Sequence, residues 1–211
     1  MKKLICTLLF VFILMSALGA CSQDKTGTPD VQTSALETGD TTVKDVLVNG
    51  GTFICADDSK TYKLDDYLLK DSSLGTTYTA SRFTQVDFDS DGAKEVVLEL
   101  SVAEPVEYLI LHSAGGKIYG YNVTLRAMQA LATDGTFTYA NSADDTGVQK
   151  ISAFKTNKLE LETLATAKGT QYTVNGASAT KDEYDAFDAI QQAKTPATWL
   201  NFTAENLITV D

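Results

Sequence analysis

Apolar and polar residues follow a strand-like pattern over much of the chain beyond residue 80. Four runs rich in Val, Leu, Ile, Tyr and Phe succeed one another, separated by short breaks of Asp, Gly, Ala and Pro. They cover residues 82–88, 95–102, 107–113 and 117–124. Because strands joined by such short turns pair with their chain neighbours, the pattern predicts an antiparallel meander.

Shorter runs of the same kind predict further strands in the second half of the chain. They cover residues 128–132, 136–139, 149–154, 159–165 and 171–174. The last run is followed by Asn175 and Gly176, two residues that tolerate the positive φ angles of a tight turn. The chain is therefore expected to be mainly β.

A few short helices accompany the strands, so the expected fold class is α+β, mainly β. The first two cover residues 42–48 and 65–70, the second with Asp65 as its N-cap. A last short turn is expected after Thr203.

The clearest helix lies near the C-terminus, over residues 181–193. Thr180 and Glu183 have the spacing of a capping box at its start. Tyr184, Phe187 and Ile190 recur at helical spacing, which predicts one apolar face packed on the sheet.

The N-terminus carries a different pattern, a single apolar run behind two lysines. Lys2 and Lys3 precede a stretch from residue 4 to residue 18 that only Thr7 and Ser16 interrupt. A run of about fifteen residues is short for a membrane-spanning helix, which takes roughly twenty. The pattern is typical of a cleaved signal peptide, here residues 1–20.

Leu18-Gly19-Ala20-Cys21 closes this run and resembles the lipobox of bacterial lipoproteins. In that family the cysteine thiol receives a diacylglycerol, and a dedicated peptidase then cuts the chain before it. The resemblance implies lipid on Cys21 and a protein held on the outer face of the cell membrane, since each buried acyl CH₂ contributes about 0.8 kcal/mol. The alternatives are a plain secretory signal and an uncleaved anchor.

The segment after the lipobox differs in composition from the rest of the chain. Residues 22–42 are rich in Ser, Thr, Asp and Gly and have almost no large apolar side chain. Such a segment cannot bury enough surface to offset its chain entropy. We therefore expect residues 21–42 to be a lipidated cysteine with a flexible tether of roughly 25 Å span. A single globular β-rich domain is expected over residues 43–211.

Charge and cysteine content narrow the classes of partner. With Lys2 and Lys3 removed, 15 basic residues stand against 28 acidic ones, a formal net charge of −13. A domain this acidic is not expected to bind nucleic acid or anionic lipid headgroups. A cationic partner or a divalent metal fits its charge better. Cys6 leaves with the signal and Cys21 takes the lipid, so Cys55 is left without a disulfide partner.

The strongest candidate site is the acidic segment DFDSDGAKE between the first two runs of the meander, residues 87–95. Carboxylates at alternate positions converge when the chain wraps around an ion, and a backbone carbonyl with a fourth carboxylate completes the oxygen shell. The candidate ligands are Asp87, Asp89, Asp91, Ala93 and Glu95. Hard oxygen ligands in that number suit Ca²⁺.

The spacing departs from that of an EF-hand, which places a bidentate Glu at position 12, where this chain has Leu98. The segment is similar to the D-x-D-x-D-G loops of FG-GAP and VCBS repeats, in which a calcium loop joins neighbouring strands. Those families carry many copies and this chain has one, so a propeller is not implied. The alternative is an Asp/Gly-rich hairpin loop with solvated carboxylates.

Other residues with reactive side chains give weaker indications. His112 is the only histidine and lies near the end of an apolar run, which favours a hydrogen-bonded or surface histidine over a catalytic base. Cys55 fits a small buried hydrophobe better than a nucleophile. No P-loop, dinucleotide fingerprint, HExxH or GxSxG motif occurs.

Aromatic residues offer a further hypothesis, a groove for a sugar or a peptide. They are Tyr108, Tyr119, Tyr121, Tyr139 and Trp199, with Asn122 beside them. Aromatic side chains in strands are more often core residues or cross-strand pairs, so the core interpretation is favoured.

Taken from about residue 53 to residue 208, the chain resembles small lipoproteins of Gram-positive, clostridia-like bacteria. The segments RFTQVDFDSDGAKEVVLEL, KIYGYNVTLRAMQALATDGTF and YTVNGASATKDEYDAF carry the resemblance. It brings no known activity with it.

Two functions from different classes follow. The favoured one is a membrane-anchored surface lipoprotein acting as a non-enzymatic module that binds an unidentified protein, peptide or glycan, braced by calcium. The alternative is a cell-envelope hydrolase using paired carboxylates, such as those of residues 87–95 and of Asp144 and Asp145. A hydrolase requires two carboxyl groups at roughly 5 to 9 Å in one cleft.

Overall fold

About half of the residues that the structure describes lie in two stacked β-sheets. The structure is a computed structural model that describes residues 41–70 and 77–210, so the predicted signal peptide, Cys21 and the tether up to residue 40 lie outside it. In these ranges, seven strands form one sheet and five form the other. The predicted class, mainly β with a few short helices, is confirmed.

The seven-stranded sheet contains the predicted meander. Its order is β12-β3-β4-β5-β6-β1-β2. The strands are β1 (Thr52–Cys55), β2 (Thr61–Lys63), β3 (Thr79–Val86), β4 (Glu95–Ser101), β5 (Pro105–Ala114), β6 (Lys117–Thr124) and β12 (Leu200–Asn201). Strands β3 to β6 are antiparallel neighbours, as predicted.

Three strands that the sequence pattern did not predict, β1, β2 and β12, complete this sheet. Strand β1 pairs parallel to β6 and antiparallel to β2. Gly120 on β6 makes room for β1, because a Cβ atom there would lie 2.5 Å from the Phe53 ring. With three or four residues each, β1 and β2 are too short to show a clear alternation.

The five-stranded sheet has the order β11-β10-β9-β8-β7. Its strands are β7 (Thr136–Ser142), β8 (Asp145–Lys155), β9 (Lys158–Lys168), β10 (Gln171–Val174) and β11 (Ala177–Ala179). The predicted tight turn is present, with φ angles of 51° at Asn175 and 77° at Gly176.

The predicted strand over residues 128–132 is wrong. This segment makes only two isolated bridges, one to Thr138 on β7 and one to Pro196. Ala130 lies between them with a φ of 44°, which is incompatible with an extended strand. The segment is nevertheless apolar because Met128 and Leu131 are buried.

Apolar side chains fill both faces of the seven-stranded sheet. Val96, Leu98 and Leu100 of β4 face a core shared with helices, and Val97 faces the second sheet. Since both faces are covered, every residue of β4 is buried. The described residues therefore form three layers, with three short helices on one face of the seven-stranded sheet and the five-stranded sheet on its other face. The longest helix, near the C-terminus, packs on the five-stranded sheet.

Four helices cover Val43–Val48 (α1), Leu64–Leu68 (α2), Lys181–Gln192 (α3) and Ala204–Leu207 (α4). Thr42 caps α1, and Thr203 caps α4 as predicted. The predicted N-cap Asp65 is wrong, because Lys63 occupies the N-cap position and α2 begins at Leu64. No helix in the described residues is long and apolar enough to cross a membrane.

Helix α3 has the predicted start, but its buried face departs from the predicted one at Ile190. The capping box of Thr180 and Glu183 is present. Ile190 is 67% exposed, whereas Gln191 is buried, so the prediction that Ile190 packs on the sheet is wrong. Each residue step turns a helix by about 100°, so a face that buries Gln191 directs Ile190 to solvent.

Candidate metal centre

The turn between β3 and β4 brings three of the predicted ligands together. Carboxylate oxygens of Asp87, Asp89 and Glu95 all lie within 4.8 Å of one another. The backbone wraps tightly because Ser90 and Gly92 adopt φ angles of 62° and 91°. The Gly92 N–H also donates to Asp87 Oδ2 at 3.1 Å, which holds that carboxylate inside the turn.

Two oxygens of this group have no hydrogen-bond partner in the structure. Asp87 Oδ1 and Asp89 Oδ1 are both shielded from solvent and unpaired. A carboxylate oxygen that loses water without gaining a partner costs free energy. A cation placed between them would satisfy both atoms at once.

Glu95 is held more rigidly than the two aspartates. Its side chain is 2% exposed, and Oε2 accepts the Phe88 N–H at 3.1 Å. Its Oε1 lies 2.9 Å from His112 Nδ1. Because an ionised carboxylate can only accept, Nδ1 of His112 carries the proton in this pair. His112 is therefore a buried histidine with a partner, the kind that the sequence favoured.

The remaining two predicted ligands lie at the rim of the turn. Asp91 and Ala93 are both exposed, and Asp91 Oδ1 accepts the Ala93 N–H at 2.7 Å. The backbone of the turn thus uses one carboxylate oxygen of Asp91. Asp91 does not belong to the group within 4.8 Å.

The acidic turn lies where the two sheets meet. Phe88 is buried between them, with its ring 6.4 Å from that of Phe154 on β8. The same Phe154 ring stacks on His112, with centroids 4.0 Å apart and planes 6° from parallel. Gly135, just before β7, lies so close to the acidic turn that a Cβ atom there would be 3.2 Å from the Phe88 Cα.

The sequence did not predict the contact between Glu95 and His112. Both strands were expected, but a uniform antiparallel register continued from the pair Ser101–Pro105 would place Glu95 opposite Leu111. A register shift between Leu100 and Ser101 displaces the pairing, so that Val96 lies opposite Leu111 and the next pair brings Glu95 to His112. An irregularity of this kind leaves no signal in residue composition.

The other reactive residues are occupied by packing or by local partners. Cys55 is 1% exposed, and burial raises the pKa of its thiol, which disfavours the nucleophilic thiolate. The Ser142 hydroxyl donates to Asp144 and lowers the pKa of that carboxyl. Asp145 lies 3.7 Å from Lys168 Nζ.

Most of the predicted aromatic residues lie in or against the core between the two sheets, where Tyr108, Tyr119 and Trp199 pack against the buried cluster that contains Tyr121. Tyr121 and Tyr139 are buried, and the Tyr121 hydroxyl donates to the Lys155 carbonyl. Tyr108 stacks on Trp199 with centroids 5.4 Å apart, at the end of the sheet where Arg82 binds Glu99. The structure therefore agrees with the core interpretation for Tyr121 and Tyr139.

An open cleft of about 370 Å³ lies beside the acidic turn, between β3 and the segment that leads into β12. Its charged lining residues are Asp87 and Lys94. A cleft with one carboxylate does not supply the pair that the hydrolase hypothesis requires.

Compared with known proteins, the chain matches no family model, no curated protein and no solved structure. The function must therefore be inferred from the chain's own residues.

Proposed function

We propose that the protein is a membrane-anchored surface lipoprotein that acts as a non-enzymatic binding module, with a calcium ion bracing its sheets at Asp87, Asp89 and Glu95. The observation that carries the proposal is the pair of buried, unpartnered oxygens on Asp87 and Asp89. Glu95 places a third carboxylate beside them. Three negative charges so close together repel one another, and a cation bound between them would offset that repulsion.

The distances suit calcium. Calcium binds oxygen at about 2.3–2.6 Å, so two ligands on opposite sides of one ion lie about 4.8 Å apart. The three carboxylates fall within that separation. Calcium takes about six to eight oxygens, so Asp91, the Ala93 carbonyl and water are the further ligands that we propose. We expect a site this open to bind calcium weakly, with the Kd of about 10⁻⁴ to 10⁻³ M that is typical of extracellular modules.

The state of the reactive side chains supports a binding role over a catalytic one. His112 is bonded to Glu95 and stacked on Phe154, so it is not free to move a proton for a substrate. Cys55 is buried in the core between the helices and the seven-stranded sheet. The proposed ligands of the module are proteins, peptides or glycans. Nucleic acid is a disfavoured ligand, because the net negative charge of the domain repels it.

Calcium titration of residues 22–211 tests the metal part of the proposal. We expect isothermal titration calorimetry to give one calcium site in the weak class, and melting curves with chelator and with calcium to separate. Asp87→Asn should abolish both effects. Asp66→Asn, which removes an exposed carboxylate on α2, is the matched control and should leave both unchanged. Absence of heat together with superimposed melting curves would contradict the calcium site.

Mass spectrometry of the membrane fraction tests the anchor. The proposal expects a mature chain that begins at Cys21 and carries a diacylglycerol on its sulfur. Cys21→Ser should release the protein from the membrane. A chain that starts elsewhere, or an unmodified Cys21, would refute the lipid anchor and leave the calcium site untouched.

A further inference from the structure

We infer that the acidic turn is a latch between the two sheets, so that calcium binding controls how tightly the five-stranded sheet is held on the seven-stranded one. The inference rests on the proposed calcium site and adds to it a role for His112 and Phe154. Neither residue belongs to the carboxylate group. Both are positioning residues, which act on the ion through Glu95.

The first contact runs from Glu95 to the second sheet through His112. Nδ1 of His112 donates to Glu95 Oε1 at 2.9 Å, and the face of the same ring stacks on Phe154 with the centroids 4.0 Å apart. Phe154 is on β8, whereas Glu95 and His112 are on β4 and β5. A movement of the Glu95 carboxylate is therefore transmitted to a side chain of the other sheet.

The second contact runs through Phe88, which lies between two of the proposed ligands in the chain. Its N–H donates to Glu95 Oε2, and its ring meets the same Phe154 edge to face. Phe88 belongs to the buried cluster between the sheets, together with Phe137 of β7 and Ile151 of β8. The position of the turn thus determines how this cluster packs.

The third contact is made by backbone alone. Gly135 approaches the turn so closely that a Cβ would lie 3.2 Å from the Phe88 Cα and 3.3 Å from the Asp87 carbonyl oxygen. This glycine directly precedes β7. The turn is therefore fitted against both β7 and β8, and it cannot widen without displacing one of them.

Charge makes this arrangement responsive to metal. Without a cation, the carboxylates of Asp87, Asp89 and Glu95 repel one another, and the two unpaired oxygens favour an opened turn that admits water. With calcium, the turn closes on the ion and the three contacts form together. Since coupling between two equilibria is reciprocal, a weakened sheet interface must also weaken calcium binding.

Hydrogen exchange of residues 22–211, with calcium and with chelator, tests the latch without any substitution. Calcium should slow exchange of backbone amides in β7 and β8 as well as in residues 87–95. Strands β10 and β11, which lie at the far side of the five-stranded sheet, should change least.

Variants of the two positioning residues test the reciprocal effect. Phe154→Leu keeps apolar bulk but removes the flat ring, and it should weaken calcium binding about tenfold. His112→Leu should weaken calcium binding to a similar extent. His112→Asn keeps a hydrogen-bond donor near the Nδ1 position and should retain more calcium affinity. Tyr172→Leu is the matched control, because that ring packs on Tyr184 of α3.

The outcomes separate the latch from the calcium site itself. Absence of calcium binding in the unsubstituted protein would overturn the proposed brace and the latch with it. Calcium binding with protection confined to residues 87–95, and with unchanged affinity in Phe154→Leu, would overturn the latch and leave the brace standing. Protection that spreads to β7 and β8 is the result that the latch requires.

Discussion

Replacing Asp89 with asparagine should have opposite effects on stability without and with calcium. In the calcium-free protein, Asp89 faces Asp87 and Glu95 at separations of up to 4.8 Å. Two unit charges at that distance repel by about 3.5 kcal/mol at an effective dielectric constant of 20 and about 0.9 kcal/mol at 80. Asp87 and Asp89 are partly exposed, so the weaker limit applies, and neutralising one of three charges should stabilise the calcium-free fold by about 1–2 kcal/mol.

Calcium should make the unsubstituted protein more stable than Asp89→Asn. At about 10 mM calcium and a Kd of about 10⁻⁴ M, binding adds about 2.7 kcal/mol to the stability of the unsubstituted protein. For a domain of this size, about 1 kcal/mol shifts Tm by roughly 2–4 °C, so the expected rise is roughly 5–10 °C. Asp89→Asn removes a charged ligand and should lose most of that rise.

Melting curves followed by circular dichroism measure both effects. We expect Asp89→Asn to melt above the unsubstituted protein in chelator and below it in calcium. Sodium chloride at matched ionic strength controls for screening, and Asp66→Asn controls for the change in net charge. If Asp89→Asn lowers Tm by the same amount in both buffers, the carboxylate has a structural role and the cation site is refuted.

Two further predictions concern the seven-stranded sheet and α1. Gly120→Ala should lower the free energy of unfolding by about 1–3 kcal/mol in urea, because the added methyl group collides with Phe53 on β1. In a double-mutant cycle, Phe53→Leu should recover part of the loss, and purely additive effects would refute the steric explanation. Hydrogen bonds from Asn49 and Thr42 lower the pKa of Asp45 to about 2. The stabilisation of α1 by this carboxylate should therefore be complete above pH 3.8 and lost as pH falls through about 2; an NMR titration midpoint at 3.8 would contradict it.

Strong periodicity made the meander predictable, and irregular backbone made other parts unpredictable. Strands β3 to β6 follow from their runs of apolar residues separated by short breaks, because each strand has at least one buried face. Ile190 was assigned to a buried helix face from the spacing of apolar residues, and residues 128–132 were assigned to a strand from their apolar run. In α3, one residue step around the helix decides that Gln191 is buried and Ile190 is exposed. In residues 128–132, the positive φ of Ala130 prevents an extended strand.

The candidate site shows the same division. The alternate spacing of Asp87 and Asp89 and the position of Glu95 were enough to predict that their carboxylates meet. Spacing did not show that the backbone of the turn uses one oxygen of Asp91. Nor did it show His112, whose approach to Glu95 depends on the register shift in β4. Binding of the ion stays a prediction.

The parallel pairing of β1 with β6 imposes an order of assembly on the chain. During synthesis β1 and β2 emerge first and have only each other as neighbours, because β6 follows after the whole of β3, β4 and β5. The meander can form from local pairs, while the entropy of closing a long loop delays β1. Phe53 can therefore pack on Tyr62 and Tyr67 early, but the side of its ring that faces β6 stays uncovered until Gly120 is made. A chain interrupted before β6 would expose this ring to proteases and to other unfolded chains.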